Sequence, residues 1–185
     1  GTARAAPPPP PARAATAGPL AAVVIDLPRG GGLTKGGPHV AAFGDPWPGP
    51  VGAWIGGDGA GWRLAATLDR PAAIGELAAV APPGEPWRWA RGDVWVRLWG
   101  GALVAPGRRG ALAGGGAAAL EHAPGVWEII QFADAALAAP SVWRLGPLLR
   151  GQAGTEALCA AAVRERARFV ALDGALAALD LPSSL

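Results

Sequence analysis

Twenty-nine glycines and twenty prolines punctuate the 185 residues. Their density constrains the fold more than any other feature. Glycine costs a helix backbone entropy, and proline removes a hydrogen-bond donor from it. A chain in which about a quarter of the residues are one or the other therefore has little room for long helices. The rest is apolar, with 51% hydrophobic residues against 16% charged. That balance is wrong for a disordered chain and sufficient for a packed core. Short strands joined by Gly/Pro turns satisfy both facts. No apolar run approaches the ~18 residues of a membrane-spanning helix, because Pro, Gly, Arg or Asp interrupts every candidate.

Charge excludes further classes. Sixteen basic and fourteen acidic residues leave a net +2, and no Lys/Arg block could follow a nucleic-acid backbone. Lys35 is the only lysine, and the abundance of Ala, Gly, Pro and Arg reads as GC-rich coding, so alanine counts say little about helices. One cysteine, Cys159, excludes an intramolecular disulfide framework and a Cys-only metal site within one chain. No signal-peptide pattern is present. Methionine is absent even at position 1, which suggests a processed piece or C-terminal segment of a longer chain.

Residues 1–18 hold the run Pro7 to Pro11 and read as an extended, Pro-rich interdomain linker. Residues 19–185 read as one β-rich domain. Apolar runs at 20–27 and 39–43 suit strands, and 51–55 with 62–69 form a hairpin around a Gly-rich loop. Residues 71–80 stay open between a strand and a helical turn. A strand is expected over 93–104, with apolar residues on both faces. A second hairpin pairs 127–137 with 142–149. Residues 107–116 read as loop. Thr155 would N-cap a helix over 156–168, with Glu156 in its first turn. Residues 169–173 make a last strand, and 174–181 a marginal closing element. The expected fold is mainly β, an antiparallel sandwich or barrel-like domain with one short helix near the C-terminus.

Residue chemistry points away from catalysis. The Gly-rich stretch 30–37 carries Thr34-Lys35 in the wrong order for a phosphate loop, and no helix pattern follows. Glu76, Glu85, Glu121, Glu128 and Asp134 could serve acid/base work, but no spacing sets two of them at a defined separation, so solvated edges and ion pairs are expected. Ser141, Ser183 and Ser184 lie outside any nucleophile elbow. His39, His122 and Cys159 lack short metal-ligand spacing. No catalytic residue, metal or cofactor is expected.

Nine tryptophans stand without a single tyrosine. Trp62, Trp95 or Trp99, Trp127 and Trp143 sit where a core would take them. Trp47, between prolines, and Trp87 and Trp89, in an expected loop, are the candidates for surface contact, for instance stacking on sugars.

One block carries a resemblance. It runs Val126-Trp127-Glu128-Ile129-Ile130-Gln131-Phe132-Ala133, then Trp143-Arg144-Leu145, then Leu148-Leu149-Arg150-Gly151-Gln152-Ala153-Gly154-Thr155-Glu156. It resembles the large tail-tip, or host-specificity, proteins of siphophage-like particles, and above all the C-terminal region of the baseplate hub ("megatron") family of gene transfer agents. Pro46-Trp47-Pro48-Gly49, Pro71-Ala72 with Ile74-Gly75, and residues 169–173 resemble further family segments. Residues 113–116 depart from the family's more polar turn.

The resemblance implies a structural component of a phage-like tail tip, serving assembly and host-surface contact. It also implies other tail or baseplate proteins as partners, a homotrimer within a longer chain, and a place in the particle tail, assembled in the cytoplasm and extracellular after release. A carbohydrate-binding module recognising envelope polysaccharide is the alternative, with Trp47, Trp87 and Trp89 as its platform. From the residues themselves, Arg150 is expected to act as a structural staple, hydrogen-bonding loop carbonyls or pairing with Glu156 or Glu128.

Overall fold

A computed structural model describes residues 18–29, 36–57 and 61–181. The stretches 1–17 and 30–35 lie outside the described residues, and with them the proline run and Thr34-Lys35. In chain order the strands are β1 (Ala21–Leu27), β2 (Gly37–Phe43), β3 (Val51–Gly57), β4 (Gly61–Leu68), β5 (Ile74–Leu77), β6 (Trp89–Ala90) and β7 (Val94–Gly100). After helix α1 (Gly107–Leu112) come β8 (Ala117–Ala123), β9 (Val126–Ala139) and β10 (Val142–Gln152). Helix α2 (Glu156–Cys159), β11 (Arg168–Ala171) and β12 (Ala177–Ala178) complete the order.

Six of these strands close into an antiparallel barrel, in the order β5-β7-β10-β9-β8-β11 and back to β5. Closure removes the free edges that an open sheet would have to protect. Strand β10 is long enough to pair with β9 along one edge and with β7 and then β6 along the other. Alternation fills the interior. Val94, Val96 and Leu98 of β7 point inward with Leu120 of β8, Ile130 and Phe132 of β9, Leu145 and Leu148 of β10, and Phe169 of β11. Gly75 marks the tightest strand approach. A Cβ there would run into the Arg97 carbonyl and come within 2.8 Å of Leu98 Cα.

The outer face of the barrel is covered on one side. Val23, Ile25 and Leu27 of β1 and Ala41 of β2 pack against Ile74, Ala119, Trp127, Ile129 and Val170. Strands β1, β2 and β12 form a small antiparallel sheet. On its far side Val40 and Ala42 meet Leu68, with Ala53, Ala66 and Trp47 packed around them, so the β3–β4 hairpin makes a third layer. The chain's end ties that layer down. Arg63 donates to the Asp180 carboxylate at 2.7 Å, and the Asp180 N–H donates to the Ala65 carbonyl at 3.0 Å.

The mainly β, barrel-like expectation holds, and four local expectations are corrected. Residues 107–116 contain α1, so there is a helix outside the C-terminal region as well; Gln131 Nε2 donates to the Ala111 carbonyl at 2.6 Å and satisfies its last turn from a distant strand. Strand β8 was not expected at all. The helix expected over 156–168 stops at Cys159, because Val163 exchanges both backbone hydrogen bonds with Ala81 at 2.9 and 3.0 Å. Thr155 makes no side-chain cap; its hydroxyl accepts from the Ile129 N–H at 3.0 Å and donates to the Gln152 carbonyl at 2.7 Å.

Candidate functional site

The inward faces of β9 and β10 change character at one end of the barrel. Two residues beyond Ile130 the face presents Glu128, and two beyond Leu148 it presents Arg150. Both side chains are buried, at 0% and 1% exposure. Arg150 Nε donates to Glu128 Oε1 at 2.7 Å, and Nη2 to Oε2 at 2.5 Å, a bidentate pair. The Gly151 N–H adds a bond to Oε1 at 2.9 Å. Gly151 adopts a φ of +62° there, and a Cβ would sit 2.8 Å from Glu156 Cα. His122 Nε2 lies 2.6 Å from Oε2. A carboxylate held by a guanidinium only accepts, so that nitrogen carries the proton. Four donors occupy the four lone-pair sites, and Arg150 directs two further donors to the Pro82 and Ala161 carbonyls. This carboxylate has no lone pair left for acid/base work. It holds the loops that close the barrel end.

Glu128 was the partner expected for Arg150 if not Glu156. Of solvated edges and cross-strand ion pairs, the two readings expected for these carboxylates, Glu128 and Glu121 take the second, and both are buried. Glu121 lies on the outer face, where Arg168 donates to both its oxygens and the Gly125 N–H adds a bond at 3.2 Å. Burial pushes the Glu121 carboxyl up, but those hydrogen bonds and the charges of Arg168 and Arg164 outweigh it and leave the group below its ordinary value. The same contact raises Arg168, whose guanidinium lies 5.5 Å from the Trp127 ring centre. Cys159 is buried, and burial together with the Glu128 charge raises its thiol, which disfavours the thiolate. Glu85 pairs with Arg88 at 3.1 Å, and Asp134 is exposed. Among the described residues no three His, Cys, Asp or Glu side chains gather as a metal site. The Arg168–Glu121 and His122–Glu128 partners escape sequence reasoning, because no short spacing signals either.

The tryptophans divide differently from expectation. Trp127 is buried and Trp143 packs against the barrel core. Trp62 is 75% exposed, and Trp95 and Trp99 stand on the uncovered outer face of β7, whose inward side is already filled by Val94, Val96 and Leu98. Trp62 belongs instead to the outer face of the β3–β4 hairpin with Trp54 and Leu64, and the Trp62 ring lies directly over Gly56. Of the three expected contact residues, Trp47 is half-buried against the Val40–Leu68 cluster, its indole N–H enclosed. Pro46, Pro48 and Gly49 form the turn around it. Trp87 is 72% exposed at a φ of +63°, a conformation that costs a non-glycine residue energy. Trp89 is half-buried, with the Arg108 guanidinium 5.3 Å from its ring centre. It lines two adjoining clefts of about 470 and 410 Å³.

A family model described as Rcc01698-like, C-terminal, matches residues 72–170. The match begins two residues before β5 and ends within β11, so it spans all six barrel strands and both helices. The chain belongs to the Rcc01698-like C-terminal family. That family is named after a Rhodobacter capsulatus gene related to gene transfer agents. Within the family region fall both buried carboxylates, their arginines and the Trp87–Trp89 loop. The β1–β4 layers and β12 lie outside it. No curated protein matches the chain.

Proposed function

We propose that this chain is the C-terminal β-rich part of a structural protein of a phage-like tail tip or baseplate, of gene transfer agent type. It serves assembly and contact with the recipient cell surface. One observation carries this reading: the family match and the closed barrel are coextensive, and the family's name ties it to gene transfer agents. The site geometry agrees with it. Glu128 and Arg150, the polar pair at the heart of the resembling block, are spent on internal hydrogen bonds that fix the barrel end.

The proposed partners are other tail and baseplate proteins, with three copies of a longer chain around the tail axis. The proposed location is the particle tail, assembled in the cytoplasm and released with the particle. No catalytic role is assigned.

An in-frame deletion of residues 72–170 in producing cells tests the role. DNA transfer to recipients should be abolished, while DNA-filled heads still form. Undiminished transfer would refute it. The second reading, a glycan-binding module, draws support from the exposed Trp87 and the Trp89 clefts, but not from Trp47.

A further inference from the structure

The Trp89 clefts have a charge pattern that selects a ligand. Trp89 in β6 and Arg91 line both clefts, and Arg108 of α1 leans over the indole. Arg144 and Asp93 line the second cleft and neutralise each other, with Arg144 Nη1 donating to Asp93 Oδ2 at 3.2 Å. Gly146 permits that pair, since a Cβ there would collide with the Asp93 carboxylate. Arg88 and Glu85 cancel in the same way in the first cleft. What remains is Arg91 and Arg108, neither with a carboxylate partner among the described residues, facing Asp134. The clefts thus hold two guanidiniums and one carboxylate with no ion-pair partner among the described residues, the carboxylate accepting only from the Ala135 N–H at 3.0 Å, and an aromatic wall.

We infer that this site binds an acidic polysaccharide through a carboxylate-bearing pyranose. The indole packs against the C–H face of the sugar ring, and Asp134 accepts from its hydroxyls. Arg91 and Arg108 take the sugar carboxylate in charge-assisted hydrogen bonds. The residual single positive charge matches a monoanion such as a uronate better than a phosphate dianion. Exposed Trp87, on the same loop two residues from Trp89, offers a second ring for the next sugar along a chain. The inference deepens the surface-contact side of the proposed function and rests on it for its biological setting only.

The test is a calorimetric titration of the full 185-residue chain with trigalacturonate, its fully methyl-esterified form and inorganic phosphate. Trigalacturonate should bind, the uncharged ester at least tenfold more weakly, and phosphate should not compete. Arg91→Gln and Arg108→Gln, both at exposed positions, should each weaken binding at least fivefold with melting temperatures unchanged. Trp89→Leu should weaken the acid and the ester alike. Equal affinity for acid and ester, effective competition by phosphate, arginine variants that bind like the parent, or no binding at millimolar ligand would each overturn the inference. Failure here leaves the particle role intact, because that role is read from particle composition and DNA transfer rather than from sugar binding.

Discussion

Arg150 lies across Glu128 at the closed end of the barrel, its Nε 2.7 Å from Oε1 and its Nη2 2.5 Å from Oε2. The pair joins β9 to β10 and, through the Pro82 and Ala161 carbonyls, both strands to two flanking loops. Removing one member leaves the other charge buried and unpaired, which costs about 3–5 kcal/mol. Arg150→Met should lower the unfolding free energy by about that much in urea denaturation. Adding Glu128→Gln should restore part of the loss, because the amide keeps an acceptor for the Gly151 N–H and removes the stranded charge. A loss under about 1 kcal/mol for the single variant would show that the pair does not hold the barrel end.

Acid should weaken the outer pair, Glu121 with Arg168. The folded state holds Glu121 below the ordinary carboxyl value of 4.5. The unfolded chain therefore binds the proton more readily, and the stabilisation is present above 4.5 and lost as pH falls through the lower folded value. Melting temperature should fall with decreasing pH below that point. In Glu121→Gln the fall should be shallower. Parallel pH profiles for parent and variant would exclude Glu121 as the source.

Thr155 links the turn after β10 to the backbone of β9, accepting from the Ile129 N–H while donating to the Gln152 carbonyl. Thr155→Val keeps the shape and strands the Ile129 donor, so it should cost about 1–2 kcal/mol, while Thr155→Ser should cost much less. A larger loss for Thr155→Ser than for Thr155→Val would mean that packing of the methyl group, and not the hydroxyl, matters at this position.

Gly75 sits where β5 presses against the backbone of β7. Gly75→Ala must separate the two strands or bend one, at about 2–3 kcal/mol. Gly49→Ala makes a useful contrast. A Cβ there meets nothing, but its φ of +98° strains any L residue, so the cost is conformational and local to the turn. Hydrogen exchange should loosen the β5–β7 ladder in the first variant and leave it protected in the second.

Much of the barrel was legible where apolar-rich runs are bounded by Gly and Pro, as in β7 and in the β9–β10 hairpin, even though both faces of those strands are largely apolar. The Arg150–Glu128 pair was legible as one of three options, and the structure realises two of them, Glu128 and the loop carbonyls. Strand β8 was not legible, because Ala117-Ala118-Ala119 offers little contrast in a chain where alanine is everywhere. The overlong helix had the opposite cause. Alanine and arginine over 156–168 satisfy helix propensity, but the pairing of Val163 with Ala81 overrides it from outside the segment. Helix α1 contains glycine and no strong local signal, and its last turn is completed by Gln131. The misjudged tryptophans share one reason. A strand pattern shows which residues share a face, but not which face another layer covers, so Trp62, Trp95 and Trp99 stand exposed while Trp47 is packed.

The central claim concerns where the chain works. Nuclease-resistant particles should be purified from producing cells, digested with trypsin and examined by mass spectrometry for the peptide spanning residues 151–164, which is bounded by Arg150 and Arg164. The account predicts that this peptide co-purifies with tail proteins at a constant ratio across a density gradient. Particles complete with tails but free of the peptide would contradict it.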